Sequence, residues 1–144
     1  GFPTADGRGR FVPCTFIPAK ELPDERFPFV LNTGRMLEHW HTGTMTRRSK
    51  ALDAIAPEAL VEVHPDDLAR FELNDGDFVK VTSRRGEIVL RAVASERVSQ
   101  GSVFIPFHFR EAAANLLTID AVDPYGKIPE YKYCAVQIEA ATAE

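Results

Sequence analysis

Phe78-Val79-Lys80-Val81-Thr82-Ser83-Arg84-Arg85-Gly86-Glu87-Ile88-Val89-Leu90-Arg91-Ala92-Val93 holds two runs in which apolar and polar residues alternate, joined by Arg84-Arg85-Gly86. Alternation of period two is the pattern of a strand with one buried face, and a short glycine-bearing link between two such runs predicts an antiparallel hairpin. The same grammar continues outward in both directions. Upstream, Phe27-Pro28-Phe29-Val30-Leu31 and Ala59-Leu60-Val61-Glu62-Val63 read as strands, Pro28 standing near a strand start where a missing N–H is tolerated. Downstream, Ser102-Val103-Phe104-Ile105-Pro106-Phe107 reads as a buried strand after the turn at Val98-Ser99-Gln100-Gly101, and Lys132–Glu139 as the last one.

Helical signals are few and short. Lys50–Ala56 is stopped by Pro57, and His64–Phe71 has proline in its first turn with acids beside it. Glu111–Leu117 has room for one or two helical turns, and Ala121–Pro129 is a loop. Many short strands separated by turns, with no regular crossover helices, predict a mainly β fold closed as a barrel with small helical insertions. Residues 1–26 are punctuated by proline and read as an extended linker, in which Phe11-Val12 and Phe16-Ile17 offer edge pairing. The barrel is expected over 27–139 and a frayed tail over 140–144.

At 144 residues the chain has the length of one domain with a single core. It carries 17 Lys and Arg against 21 Asp and Glu, a net charge of −4, which gives no reason to expect nucleic acid as a partner. Cys14 and Cys134 make neither a secreted disulfide framework nor a metal motif, although a single bridge between them stays open. No apolar run reaches bilayer length. The start, Gly1-Phe2-Pro3, has no initiator Met and reads as mid-chain sequence, the sign of a fragment.

Against this scaffold one stretch is unlike the rest. Thr33-Gly34-Arg35-Met36-Leu37-Glu38-His39-Trp40-His41-Thr42-Gly43-Thr44-Met45-Thr46-Arg47-Arg48 packs three arginines, two histidines, the only tryptophan, two glycines and four threonines into sixteen residues. Few of these positions can be buried without polar partners, so the segment is expected to leave the core as a loop. Guanidinium forks, hydroxyls and N–H groups in a fixed loop suit an anionic, aromatic ligand. His39 and His41, two apart, lack a third ligand for a metal. Trp40 either fills a core pocket or stacks on a fused ring, and Arg47-Arg48 reads equally well as a solvated pair. His108 is of a residue type whose unperturbed pKa lies near neutrality, as acid–base work needs, but no nucleophile or paired acid accompanies it, so no catalytic constellation is evident.

Thr33 through Arg48, together with Ser83-Arg84-Arg85-Gly86-Glu87, Ile105-Pro106-Phe107, Asn115-Leu116-Leu117-Thr118 and Glu130–Val136, closely resembles the C-terminal molybdopterin-dinucleotide-binding domain of the dimethyl sulfoxide reductase superfamily. The likeness runs from about Phe27 to Glu139, with the motifs in order. Glu111–Thr118 and Asp123–Lys132 look most like the alpha subunit of molybdenum- or tungsten-dependent formate dehydrogenase. Periplasmic nitrate reductase shares the Glu38–Gly43 run and the Arg47-Arg48 pair and stands as the alternative.

That resemblance implies a double-psi β-barrel of the aspartate-decarboxylase-like type. It implies bis-molybdopterin guanine dinucleotide as cofactor, contacted by Thr33, Gly34, Arg35, Met36, Leu37, Glu38, His39, Trp40, His41 and Thr42, with Arg35, His39 and His41 as the main polar partners. Phe107 and His108 would lie near the pterin, Asn115 would hydrogen-bond to it, and Tyr131 and Lys132 would bind from the closing strand. The molybdenum or tungsten ligand, and the iron–sulfur clusters, would belong to other domains of the parent chain. Electron-transfer subunits would be further partners. The domain alone would be non-catalytic, serving two-electron oxidation of formate to CO2 in a cytoplasmic enzyme, or a periplasmic one if the nitrate reductase likeness governs. A different class of reading is a self-standing double-psi barrel, either a binding module or a small decarboxylase that cleaves itself at a Gly-Ser such as Gly101-Ser102, which intact mass would reveal.

Overall fold

Six strands alternate inward and outward side chains and close on themselves. In the computed structural model, which describes residues 1–142, the elements in chain order are β1 (Phe29–Gly34), α1 (Lys50–Ile55), β2 (Leu60–Val63), α2 (Pro65–Arg70), β3 (Phe78–Thr82), β4 (Glu87–Ala94), β5 (Ser102–Pro106) and β6 (Cys134–Ala140). Single 3-10 turns lie at Thr46–Arg48, Arg110–Ala112 and Ala114–Leu116. Of the tail expected at 140–144, Ala140 is the last residue of β6, and 143–144 lie outside the described residues.

The strand order around the barrel is β1-β5-β2-β4-β3-β6, closing back to β1. This is the closed, mainly β architecture the alternation called for. The β3–β4 hairpin pairs Val81 with Ile88 and Val79 with Leu90, as its two-period pattern demands. Two pairings are parallel, β1 with β5 and β2 with β4, and the rest are antiparallel. The parallel register sets Thr33 beside Ile105 and Gly34 beside Pro106. Consequently the loops that follow β1 and β5 leave the barrel side by side.

Inward residues from every strand fill the lumen. Leu31, Val61, Val63, Val79, Val81, Val103, Ile105 and Val136 are all essentially inaccessible to solvent. β-branched side chains dominate because they pack well on a pleated, curved surface. α2 begins with the His64 ring accepting from the Asp66 N–H at 3.2 Å and Pro65 in its first turn.

Two expectations need correction. β1 starts at Phe29 and runs to Gly34, so Thr33 and Gly34 belong to the strand and not to the polar loop. The parallel ladder to β5 carries the chain two residues further than apolar content alone suggests, and Thr33 is tolerated inside because its hydroxyl donates to the Tyr131 carbonyl at 2.7 Å. Phe11-Val12 and Phe16-Ile17 form no edge pairing; both pairs are exposed. The N-terminal segment is instead fastened near its end, by Lys20 N–H to Glu130, by Asp24 to Arg84, and above all by Glu21, which is buried against Arg85, Arg84 and the Ala135 N–H.

Candidate functional site

Three segments far apart in sequence converge on one concavity of about 550 Å³, lined by Arg35, His41, Thr42, Phe107, Asn115, Thr118, Ile119, Asp120, Pro129, Tyr131 and Lys132. The first comes off β1, the second off β5, and the third is the approach to β6. Parallel pairing of β1 and β5 puts the first two at one rim, and Thr33 ties the third to them through the Tyr131 carbonyl.

Each segment is shaped by its own chemistry. After Gly34 the chain leaves the barrel and Arg35 lays its guanidinium over the Trp40 ring, 5.4 Å from the centroid, with Nη2 3.3 Å from the His41 Nε2. A cation over an indole face is held by the ring quadrupole. Trp40 is 56% exposed, so it serves the loop as a platform and fills no core pocket. His41 has φ of +48° and Gly43 of +71°, a left-handed kink that returns the loop to the barrel. A Cβ at Gly43 would stand 3.0 Å from the His108 carbonyl and 2.9 Å from Arg47 Cγ, so glycine is required there twice over.

The segment carrying Asn115 is braced from the hairpin. Arg85 Nε donates to the Leu117 carbonyl at 2.9 Å, and Gly86 lies close enough that a Cβ would meet the Leu116 carbonyl at 3.0 Å. The third segment is organised by Asp123, whose carboxylate accepts from the backbone N–H groups of Tyr125, Gly126 and Ile128 at 2.9, 2.7 and 2.7 Å. These donors hold the Asp123 carboxyl below the usual range for aspartate.

The sequence-expected residues distribute as follows. Arg35, His41, Thr42, Phe107, Asn115, Tyr131 and Lys132 share the concavity. Met36, Leu37 and Glu38 face a second one, of about 760 Å³, with Arg35 lying between the two; its other walls include Asn32, Arg97, Ser99 and Phe104. Thr33 is inside the barrel wall, and Gly34 lets the Phe104 ring approach the backbone, 2.6 Å from where a Cβ would be.

Two histidines point elsewhere. His39 is 2% exposed, its Nε2–H donating to the Ala56 carbonyl at 2.8 Å. The Thr46 hydroxyl donates to its Nδ1 at 3.2 Å while accepting from the Trp40 N–H at 3.0 Å. Its ring is therefore committed to the fold, and it does not share a face with the exposed His41. His108 is also 2% exposed and engages main-chain groups of the loop, Met36 N–H at 3.0 Å and the His41 carbonyl.

Beside Thr42 a third hollow, of about 430 Å³, is walled by Thr44, Arg47, Arg48 and Arg110. Arg47 is not a free cation. It grips the Glu111 carboxylate at 2.7 and 3.0 Å, reaches Asp53 at 3.4 Å and lies 4.7 Å over the Phe109 ring. Sequence reading missed Thr118, Ile119, Asp120 and Pro129 in the concavity; only their nearness in sequence to Asn115 and Tyr131 marked them.

Known proteins share this chain's sequence and fold. The family model for the molydopterin dinucleotide binding domain matches residues 29–135. The F420-dependent formate dehydrogenase subunit alpha of Methanocaldococcus jannaschii is 50% identical over 138 residues, 96% of this chain and 20% of that relative. The F420-dependent formate dehydrogenase 1 subunit alpha of Methanococcus maripaludis is 46% identical over 136 residues, 94% of this chain and 20% of that relative. The chain thus spans about a fifth of the length of these relatives. Acetylene hydratase from Pelobacter acetylenicus superposes with a TM-score of 0.70 at 14% identity, over 80% of this chain and 18% of that one, a likeness of fold alone.

Proposed function

The chain belongs to the molydopterin dinucleotide binding domain family, and on that premise we propose that it holds bis-molybdopterin guanine dinucleotide within the catalytic subunit of a formate dehydrogenase. The observation that carries this reading is the single concavity uniting Arg35, His41, Asn115, Tyr131 and Lys132 from three separate segments. The donor set fits the group. Arg35 and Lys132 supply positive charge for pyrophosphate, and Asn115, Thr42 and Tyr131 supply neutral hydrogen bonds to a heterocycle. Asp120 offers a carboxylate to the amino and ring N–H edge shared by pterin and guanine. Phe107 provides an apolar wall.

When bound, the cofactor's metal supplies two-electron chemistry, here the oxidation of formate to CO2. This chain's residues bind and orient the ligand, as proteins do for chemistry a cofactor performs. The names of the two methanogen relatives favour formate over the nitrate alternative. The metal ligand, the iron–sulfur clusters and the electron-transfer subunits belong, in this reading, to the remainder of a cytoplasmic parent enzyme. Among the described residues no helix is long and apolar enough to cross a membrane.

The test is Arg35→Ala and Lys132→Ala in the full-length subunit, read as molybdenum or tungsten and pterin content per polypeptide. A charge-assisted hydrogen bond contributes about 1.5–3 kcal/mol, so each variant is expected to bind roughly tenfold or more weakly with its circular dichroism unchanged. Full occupancy in both variants under dilution overturns the assignment.

A further inference from the structure

His108 does not line the main concavity, yet among the described residues its side chain bonds main-chain groups near both ends of the loop forming the wall, Met36 N–H and the His41 carbonyl. We infer that His108 is a positioning residue, which clamps the Arg35–Thr42 loop in its ligand-holding shape only as the neutral Nδ1–H tautomer, so that ligand retention fails on mild acidification. The inference rests on the cofactor reading above and adds to it the group that fixes the loop and the proton that releases it.

The tautomer follows from the partners. The Met36 N–H can only donate, so the Nε2 that meets it at 3.0 Å must present a lone pair. The ring proton is then on Nδ1, which donates to the His41 carbonyl. Imidazolium carries N–H on both nitrogens and would face the Met36 N–H with another donor. One side chain thus fastens positions 36 and 41, and protonation undoes one of its two bonds outright.

Met36 packs on the core and His39 anchors the middle of the loop through Ala56 and Thr46. Leu37, however, is 96% exposed and Trp40 56%, so apolar burial does little for the His41 end. His41 sits at φ +48°, a conformation that a non-glycine residue keeps only when its surroundings impose it. The His108 bond to the His41 carbonyl is one such constraint.

Apart from the His41 carbonyl, the groups facing the ring give imidazolium no support. His39 lies with its centroid 5.8 Å away, and Phe107 and Phe109 flank it at 5.1 and 6.3 Å. From the loop come Arg35 and His41, and the hollow that His108 borders is walled by Arg47, Arg48 and Arg110, with no carboxylate among its lining residues. Burial, helped by the neighbouring His39, Arg35 and His41 side chains, outweighs the bond to the His41 carbonyl and pushes the His108 pKa below its ordinary 6.5. The fold therefore selects the neutral form. Its contribution is complete above that ordinary value and is lost as pH falls through the depressed one.

The experiment uses the full-length subunit, purified with its cofactor, at pH from about 8 down to about 5. Two quantities are followed: amide exchange of the peptide covering residues 35–42, corrected for intrinsic rates, and release of pterin, read by its fluorescence after oxidation. The wild type is expected to lose loop protection, and to release pterin faster by up to about tenfold per pH unit, on the acid side of 6.5. His108→Gln keeps an acceptor and a donor without a titrating proton; it should retain the loop and flatten both profiles. His108→Leu should expose the loop at every pH. An acid limb that persists unchanged in His108→Gln, or wild-type loop protection in His108→Leu, overturns the inference. Subunit that never contains pterin, yet shows the loop profile and its loss in His108→Gln, supports the His108 assignment and overturns the cofactor assignment.

Discussion

Arg85 holds Glu21 with both arms of its guanidinium, Nη1 to Oε2 at 2.7 Å and Nη2 to Oε1 at 2.8 Å, across 64 positions of sequence. The same carboxylate accepts from the Ala135 N–H at 2.8 Å and lies 3.2 Å from Arg84. One acid therefore joins the N-terminal segment, the β3–β4 turn and β6.

That junction predicts an acid-sensitive stability. The Arg85 hydrogen bonds, aided by the Ala135 N–H, outweigh burial and bring the Glu21 pKa from 4.5 down to about 2. A depressed carboxyl stabilises the fold fully above its unfolded value and loses that contribution as pH falls through the folded one. The shift corresponds to about 3 kcal/mol, lost between pH 4.5 and about 2. Glu21→Gln should lower stability at neutral pH by about 2 kcal/mol in urea denaturation and flatten that acid limb. An unaltered limb in the variant would assign the effect to other carboxylates.

Gly43 tests the kink of the loop. Gly43→Ala adds a Cβ at positive φ and 3.0 Å from the His108 carbonyl, so a loss of about 2–3 kcal/mol is expected. Gly76, at φ +87°, has open space around it, and Gly76→Ala should cost only about 1 kcal/mol. Equal losses by thermal denaturation would show that φ alone matters and that the contact does not.

The two cysteines should behave as opposites. Both are free; Cys14 is exposed, whereas Cys134 is buried and donates to the Leu117 carbonyl at 3.4 Å. Burial raises the Cys134 thiol to about 11, leaving little thiolate at pH 8. Alkylation of the native chain at that pH should modify one thiol quickly and the second only through opening of the barrel. Equal rates at both would contradict the buried placement.

Thr33 gives a fourth prediction. Thr33→Val keeps the shape of an inward strand residue but removes the 2.7 Å bond to the Tyr131 carbonyl. A loss of about 1 kcal/mol is expected. Faster amide exchange over 130–133 should accompany it if the bond anchors that segment, and its absence would remove Thr33 from the site's support.

Much of this was readable in the chain. The Phe78–Val93 alternation gives a hairpin because a period of two cannot be satisfied by a helix, and Lys50–Ile55 and Pro65–Arg70 appear where proline and acids mark them. The end of β1 was not readable, since Thr33 and Gly34 are held by a parallel partner some 70 residues away, and local composition carries no trace of that ladder. His39 and His108 present the same difficulty in the site. A histidine in a polar loop, as at His39, suggests exposure, and one between two phenylalanines, as at His108, does not say which way its ring turns; only the Ala56, Thr46, Met36 and His41 partners reveal both rings turned inward. The Arg85–Glu21 pair was not legible, because charge pairing across such a separation is decided by topology.

The pairing of Gly34 with Pro106 reaches beyond architecture. Until those two strands zip together, the groups that would grip a ligand hang on separate threads, each with a fraction of the grip. A ligand that needs all of them can therefore recognise only a finished ring, and in binding it makes that ring harder to open. On the cofactor reading, a chain without its ligand is therefore expected to open more often and to be cut by proteases sooner than the loaded one.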